Sequence, residues 1–302
     1  MAQPLTSDSL PLAEGGSAWA APERFSVLRR LLQNRLAVGA LVTIALVVAF
    51  CYIGPLIWTV SPDATDPLAF LSPPSSAHPL GTDNVGRDVL ARMMAGGQIS
   101  LEVGIAAALL GTIIGVLYGA ISGYAGGFVD AALMRVVDAV LSIPVLVLLI
   151  LLAAEIRPNE VLMILVIGFT AWLVPARLIR AETLSLKHRE FVLASRLMGS
   201  RSSRTIVRHI VPNSVGTIVV NATFQVADAI LLIAYLSFLG LGIPPPAPTW
   251  GGILADGINY LYENAWWLIY PPGLAILLVV VAFNYLGDAL RDAFDLRFRR
   301  DR

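Results

Sequence analysis

The sequence predicts an all-α polytopic membrane protein with six transmembrane helices, and three observations carry that expectation. Of 302 residues, 57% are hydrophobic and 14% charged, with a mean hydropathy of +0.75. A soluble domain carries about a quarter charged residues, so the composition excludes an ordinary soluble enzyme. The apolar residues gather into runs of about 20, the length that crosses a bilayer core. The basic residues, finally, are concentrated in alternate connections between those runs.

Residues 1–23 are rich in Pro, Ser, Gly and Ala and have the composition of a disordered segment. They lack the basic start and apolar core of a secretory signal. Segment 24–60 opens with Arg24, Arg29, Arg30 and Arg35 and continues as a first, peripheral span at 36–60. Residues 61–98 form a polar connection. Span 2 follows at 99–124, span 3 at 131–154 with Arg135, Asp138 and Pro144, and span 4 at 161–180 with Pro175. Span 5 covers 214–241 and span 6 covers 267–289, so spans 2–6 make a core at 99–290 and 291–302 remain as a tail. Proline is tolerated in such helices when neighbouring helices satisfy the carbonyls it frees. The single cysteine, Cys51, lies within span 1 and excludes an intrachain disulfide.

Arg and Lys orient the chain. Between spans 4 and 5 stand Arg177, Arg180, Lys187, Arg189, Arg196, Arg201, Arg204 and Arg208; after span 6 stand Arg291, Arg297, Arg299, Arg300 and Arg302. The other side holds only Arg87, Arg92 and Arg157, and 242–266 has no basic residue. Both termini and the 181–213 loop are therefore expected in the cytoplasm, with 61–98 and 242–266 on the outer side.

The loop contains "REFVLASRLMGSRSSRTIVRHIVPN" (189–213). Phe191, Ala194, Leu197 and Met198 recur at helical spacing, then Ile206, Ile210 and Val211; Gly199-Ser200 interrupts them and Pro212-Asn213 closes the stretch. This predicts two short amphipathic helices joined at a glycine. Such a surface serves either as an interfacial helix on anionic lipid or as a protein-docking loop.

The same stretch resembles the signature loop of bacterial ABC importer membrane subunits: Glu-Ala-Ala, three residues, Gly, nine residues, Ile-x-Leu-Pro. Leu193-Ala194-Ser195, Gly199 and His209-Ile210-Val211-Pro212 stand in register, with Leu193, Ser195, His209 and Val211 departing from the pattern. "HPLGTDNVGRDVLARMMAGGQISL" (78–101), "GYAGGFVDAALMRVVDAVLSIP" (123–144), "LSFLGLGIPPPAPTWGGIL" (236–254) and "LAILLVVVAFNYLGDALRDAFD" (274–295) also resemble one branch in the right order. The chain is thereby similar to the C-type subunit of dipeptide/oligopeptide/nickel ABC importers, with a type I permease fold.

That resemblance implies a bacterial inner-membrane location, a B-type permease partner, two cytoplasmic ATP-binding subunits and an outer substrate-binding protein. The solute would be a short peptide, although nickel complexes, glutathione-like peptides, haem and sugars use similar subunits. It also implies that the loop's first helix docks in an ATPase groove. Ala194 and Ser195 would allow close approach, Phe191 and Met198 would anchor, Gly199 would turn the chain, and Glu190 and Arg196 would meet groove charges.

No catalytic or metal role is expected for this chain. A P-loop needs Gly-x-x-x-x-Gly-Lys-[Ser/Thr], whereas the sole lysine, Lys187, precedes His188 without such a loop. ATP and magnesium would thus be held by the partner ATPases. His78, His188 and His209 are scattered, and Ser122 in "AISG" has no histidine in any span to serve it as a base. Neither nucleic acid nor a resident cofactor is implied, while membrane lipid is.

Ionisable and amide groups within spans default to functional hypotheses. Asn221, Gln225 and Asp228 are spaced i, i+4, i+7, a single stripe of span 5. That stripe lines a solute path, with Asp228 near a charged amine, or forms an interhelical hydrogen-bond network with the partner subunit. Asp138 joins the path or pairs with Arg135. An ion-gradient-driven carrier is the alternative that these residues leave open. On the outer side, Trp250, Tyr260, Tyr262, Trp266 and Trp267 suggest an aromatic belt around a short surface helix. There the resemblance offers Arg87, Asp88, Trp250, Asp256 and Glu263 to a binding protein.

Overall fold

The structure is a computed structural model that describes residues 25–155 and 158–300. The expected disordered segment 1–23, Arg157 and Arg302 lie outside the described residues. Among the described residues the regular structure is helical, with one isolated bridge between Thr82 and Asp88 in place of any strand.

An amphipathic helix α1 (Phe25–Gln33) leads into α2 (Arg35–Tyr52), whose first turn is capped by Asn34 Oδ1 accepting from the Leu36 and Ala37 amides at 3.0 and 3.4 Å. Gly54–Ile57 adds a short turn, α3. Helix α4 (Val89–Ala125) then runs 37 residues, about 55 Å at 1.5 Å per residue and well beyond a bilayer core. It starts ten residues before the expected span because Asp88 caps it, accepting from the Ala91 amide at 2.8 Å. Arg92, expected in the outer connection, is folded away at 4% exposure against Asp83 (3.4 Å) and the carbonyls of Pro62 and Pro246.

Gly126 and Gly127, at φ +66° and +54°, turn the chain into α5 (Gly127–Leu141). A break at Ser142–Pro144 bends the path by 76° into α6 (Val145–Glu155). A 41° bend likewise separates α7 (Glu160–Ala171) from α8 (Leu173–Leu186). After the loop described below, α12 (Val215–Phe238), α13 (Trp250–Asn259) and α14 (Tyr270–Arg300) complete the chain. Four helical stretches are long and apolar enough to cross a membrane alone; counting each bent pair as one span gives six.

α4 is the central post. Gly111, Gly115, Gly119 and Gly123 form an i, i+4 stripe laid directly on the backbone of Ala171–Arg180: an added Cβ would overlap the Trp172, Ala176 or Arg180 carbonyl at the last three. Removing every side chain along this line lets two backbones touch, the usual device for helix pairing where lipid offers no hydrophobic drive. A second cluster, Val103, Ala107, Met163, Ile167, Ile233 and Leu236, joins α4 to α7 and α12. At the end opposite the 181–213 loop, Cys51, Met93, Trp250, Trp267 and Leu268 form a third.

Candidate coupling loop, path residues and outer face

The loop begins where α8 ends at Leu186. Lys187 Nζ donates to the Gly123 carbonyl at 3.0 Å, placing a cation at the C-terminus of α4 where free carbonyls concentrate negative potential. Arg189 then leads into α9 (Glu190–Leu197). α9 ends in a Schellman motif: the Ser200 amide donates to Ser195 O at 3.1 Å and the Gly199 amide to Arg196 O at 3.0 Å, with Gly199 at φ +79°. The expected glycine turn is therefore present. Crowding has no part in it, because a Cβ on Gly199 would meet nothing within 4 Å; only the left-handed backbone demands glycine.

α9 has two faces. Val192 and Ser195 point inward, at 0% and 5% exposure. Ser195 thus departs from its expected role beside Ala194, since three residues' spacing puts it on the side packed against its own chain. The outward face carries Phe191, Leu193, Ala194, Leu197 and Met198, the last two 90% and 82% exposed. Glu190 is exposed as well. Arg196 does not simply project: its guanidinium lies 5.7 Å from the Tyr124 ring centroid, a cation–π contact that steadies α9 on the end of α4. Phe191 leans on His209, ring centroids 6.4 Å apart.

The expected second helix is broken up. α10 (Ser202–Thr205) gives way to a π-type turn at Ile206–Ile210 and a short α11 (Val211–Asn213). Pro212 has no N–H for the Arg208 carbonyl, so the ladder widens there.

The polar stripe of span 5 is divided in the fold. Gln225, 6% exposed, donates Nε2 to the Ala171 carbonyl at 2.6 Å. This removes it from the expected solute path, because its amide is spent on a neighbouring helix. Asn221 is partly buried, and its Oδ1 finds no hydrogen-bond partner among the described residues. Asp228, almost a turn beyond Gln225 on α12, is exposed, with no cation pairing it among the described residues. Asp138 pairs with Arg177 at 2.5 Å rather than with Arg135, because α5 lies against α8. Both partners are about half exposed, 50% and 51%. An exposed ion pair part-way along two spans is costly against hydrocarbon and calls for protein or water on its open side.

A second ion pair was missed by sequence reasoning. Arg180 holds Asp130 with two bonds of 2.5 and 2.6 Å, and Ser122 Oγ donates to the same carboxylate at 2.5 Å. Asp130 just before span 3, in the first turn of α5 and opposite a span ending in arginines, was the available signal.

The outer face is reassigned most. Asp88 is 1% exposed and saturated by the Ala91 amide, Trp58 Nε1 (3.2 Å) and His78 Nδ1 (2.8 Å). Arg87 is clamped on Asp83 at 2.7 Å, with its side chain 11% exposed. Trp250 is fully buried, donating Nε1 to Met93 O at 2.9 Å; Trp267, 5% exposed, donates to Thr82 O at 3.0 Å. These four residues build the outer cap instead of presenting themselves: each carries a polar group that only a partner inside the fold can satisfy. Glu263 remains exposed beside Tyr262, and Trp266 keeps a half-exposed ring. Asp256, on α13, lines a cavity of about 790 Å³ with Arg92 and the 237–249 backbone. Burial pushes its carboxyl above the usual range, against the opposing pull of Arg92 and Arg87.

Comparison with known proteins fits this geometry. The model of the family described as "Binding-protein-dependent transport system inner membrane component" matches residues 111–300, from the glycine stripe through the loop to α14. A second, the "N-terminal TM domain of oligopeptide transport permease C", matches 26–74. The Oligopeptide transport system permease protein OppC of Escherichia coli K12 is 43% identical over 95% of this chain and 93% of its own. A putative peptide permease protein of Brucella suis is 44% identical over 96% and 94%, and OppC of Bacillus subtilis 39% over 90% and 88%. With both parts of the fold matched over nearly its whole length, the chain belongs to the binding-protein-dependent transport system inner membrane components and is a membrane-spanning permease subunit of an ABC importer.

Proposed function

We propose that the chain forms half of a translocation path for short peptides, in a heterodimer with a B-type permease subunit. Two cytoplasmic ATP-binding subunits drive it and an extracytoplasmic binding protein supplies the solute. Both termini and the 181–213 loop face the cytoplasm, as the arginine distribution supports. The peptide assignment is supported by the names of the relatives. The observation that carries the coupling role is α9: an apolar outward face of Phe191, Leu193, Ala194, Leu197 and Met198, stopped by the Gly199 turn and held on α4 by Lys187 and Arg196. A side chain as exposed as Leu197 or Met198 at a cytoplasmic end wants a protein groove.

In this reading ATP and magnesium belong to the partner subunits, whose two nucleotide states bind α9 differently and so shift the permease between two conformations. Within the path, Asp228 and the Arg177–Asp138 pair offer one unpaired carboxylate and one dipole to a zwitterionic chain. Asn221 offers an unspent carbonyl oxygen.

The test is reconstitution with the partner subunits in vesicles, with ATP on the loop side and all ion gradients collapsed. Tri-alanine uptake is expected to persist; uptake that needs a proton or sodium gradient and ignores ATP overturns the proposal. Ala194→Cys and Leu197→Cys should crosslink to an ATPase subunit, whereas Ser195→Cys, on the inward face, should not. Labelling of Leu197→Cys from outside intact cells would refute the orientation.

A further inference from the structure

Pro175 has no N–H, so the Ala171 carbonyl four residues earlier loses its helical partner. The chain bends 41° at this point, between α7 and α8. The freed carbonyl is taken instead by Gln225 of α12, across 54 residues of sequence, at 2.6 Å and in a site where Gln225 is only 6% exposed.

What lies between those residues is the whole of α8, the coupling loop and the lower half of α12. Near the loop these arms are joined a second time. Ile179 packs with Ile206, Val211 and Ile218 on Val116 and Ala120 of α4. The segment 171–225 is therefore a closed frame: an apolar joint near the loop, and a single directional hydrogen bond at the bend. Without that bond, α8 and α12 share only apolar contacts, which resist separation far more than they resist sliding. A buried hydrogen bond with its donor on one helix and its acceptor on the other fixes register.

We infer that Gln225 is a positioning residue for coupling: its bond to the Ala171 carbonyl latches α12 to the α7–α8 bend, so that displacement of the loop moves both helices as one wedge. The inference rests on the coupling-loop reading above. Gln225 touches neither nucleotide nor solute in this role. It acts through the relative placement of α8 and α12, and through them on Asp228 and Arg177, which stand on the same two helices.

The experiment uses the assembled transporter in vesicles. Spin labels are placed at Ser185→Cys on α8 and Val219→Cys on α12, both exposed, while native Cys51 is buried out of a label's reach. In the wild-type background the inter-label distance should be the same without nucleotide and in an ATP-trapped state; a change between them overturns the latch. Gln225→Met keeps the volume and removes the donor. It should make the distance nucleotide-dependent and lower tri-alanine imported per ATP hydrolysed by roughly fivefold or more, the low end of usual coupling between sites. A variant that loses only thermal stability, with distance and ratio as in wild type, shows that Gln225 merely satisfies a carbonyl and refutes the proposal. Because the distance measurement needs no solute, it decides the latch even if tri-alanine is not carried, which would count only against the peptide assignment.

Discussion

Gly199 separates two causes that sequence leaves merged. Its Cβ position is open while its φ is +79°, so substitutions should rank by left-handed tolerance and not by size. Gly199→Asn is expected to keep most ATPase coupling. Gly199→Val, at a cost of ~2 kcal/mol or more for a β-branched residue in that region, should unwind the end of α9 and depress coupled uptake several-fold. Coupled uptake of the two variants side by side is the check, and equal loss in both would return crowding as the cause. Asp256 makes a second prediction. Its carboxyl is held above the usual range chiefly by burial, so the folded state favours the protonated form. Stability from this group is present below the ordinary carboxylate pKa and lost as pH rises through the raised one. Asp256→Asn should therefore raise the thermal midpoint at pH 7 and have no effect at low pH, measured on the detergent-solubilised complex.

At the scale of elements, the glycine stripe decides how α4 and α8 behave. Gly119→Ala would drive a methyl group into the Ala176 backbone carbonyl, which cannot rotate away. Overpacking of this kind costs typically 1–3 kcal/mol, occasionally more, so the variant should unfold at a clearly lower temperature than wild type. Gly39→Ala, with nothing within 4 Å, should not. Most helices were legible because apolar runs of membrane length are local signals, and α9 with its Gly199 turn likewise follows from a few neighbouring residues; the 76° and 41° breaks within spans 3 and 4 were not expected, because proline in a span does not by itself say whether the helix bends. What was not legible is pairing. Asp138 was given to a path or to Arg135 on its own helix when Arg177 on another takes it, and Gln225 was given to a path or to a partner subunit because its acceptor, Ala171 O, is a backbone atom 54 residues away. Trp250 and Trp267 looked like interfacial residues by composition; only the outer cap's carbonyls at Met93 and Thr82 show why they are buried.

The whole molecule is incomplete as a membrane solute. Asp228 and the Arg177–Asp138 pair are exposed on spans, and α5, α6 and the break between them leave Val136, Ile143, Val145, Leu146 and Val147 uncovered. Expressed without a partner permease, the chain should be degraded several-fold faster than in its company; a pulse-chase comparison of the two conditions is the check, and equal lifetimes would show that these groups need no cover. The glycine stripe bears on how the protein is made. During synthesis α4 leaves the ribosome well before α8, and Gly119 must wait about sixty residues for Ala176, roughly 3–12 s at 5–20 residues per second. Throughout that interval a 37-residue helix offers the insertion machinery a bare groove of backbone, ready to accept any small-faced helix that passes. Correct biogenesis of this permease is thus a matter of timing: α8 has to arrive before a stranger does, and whatever slows translation between the two spans should raise the share of misassembled chains.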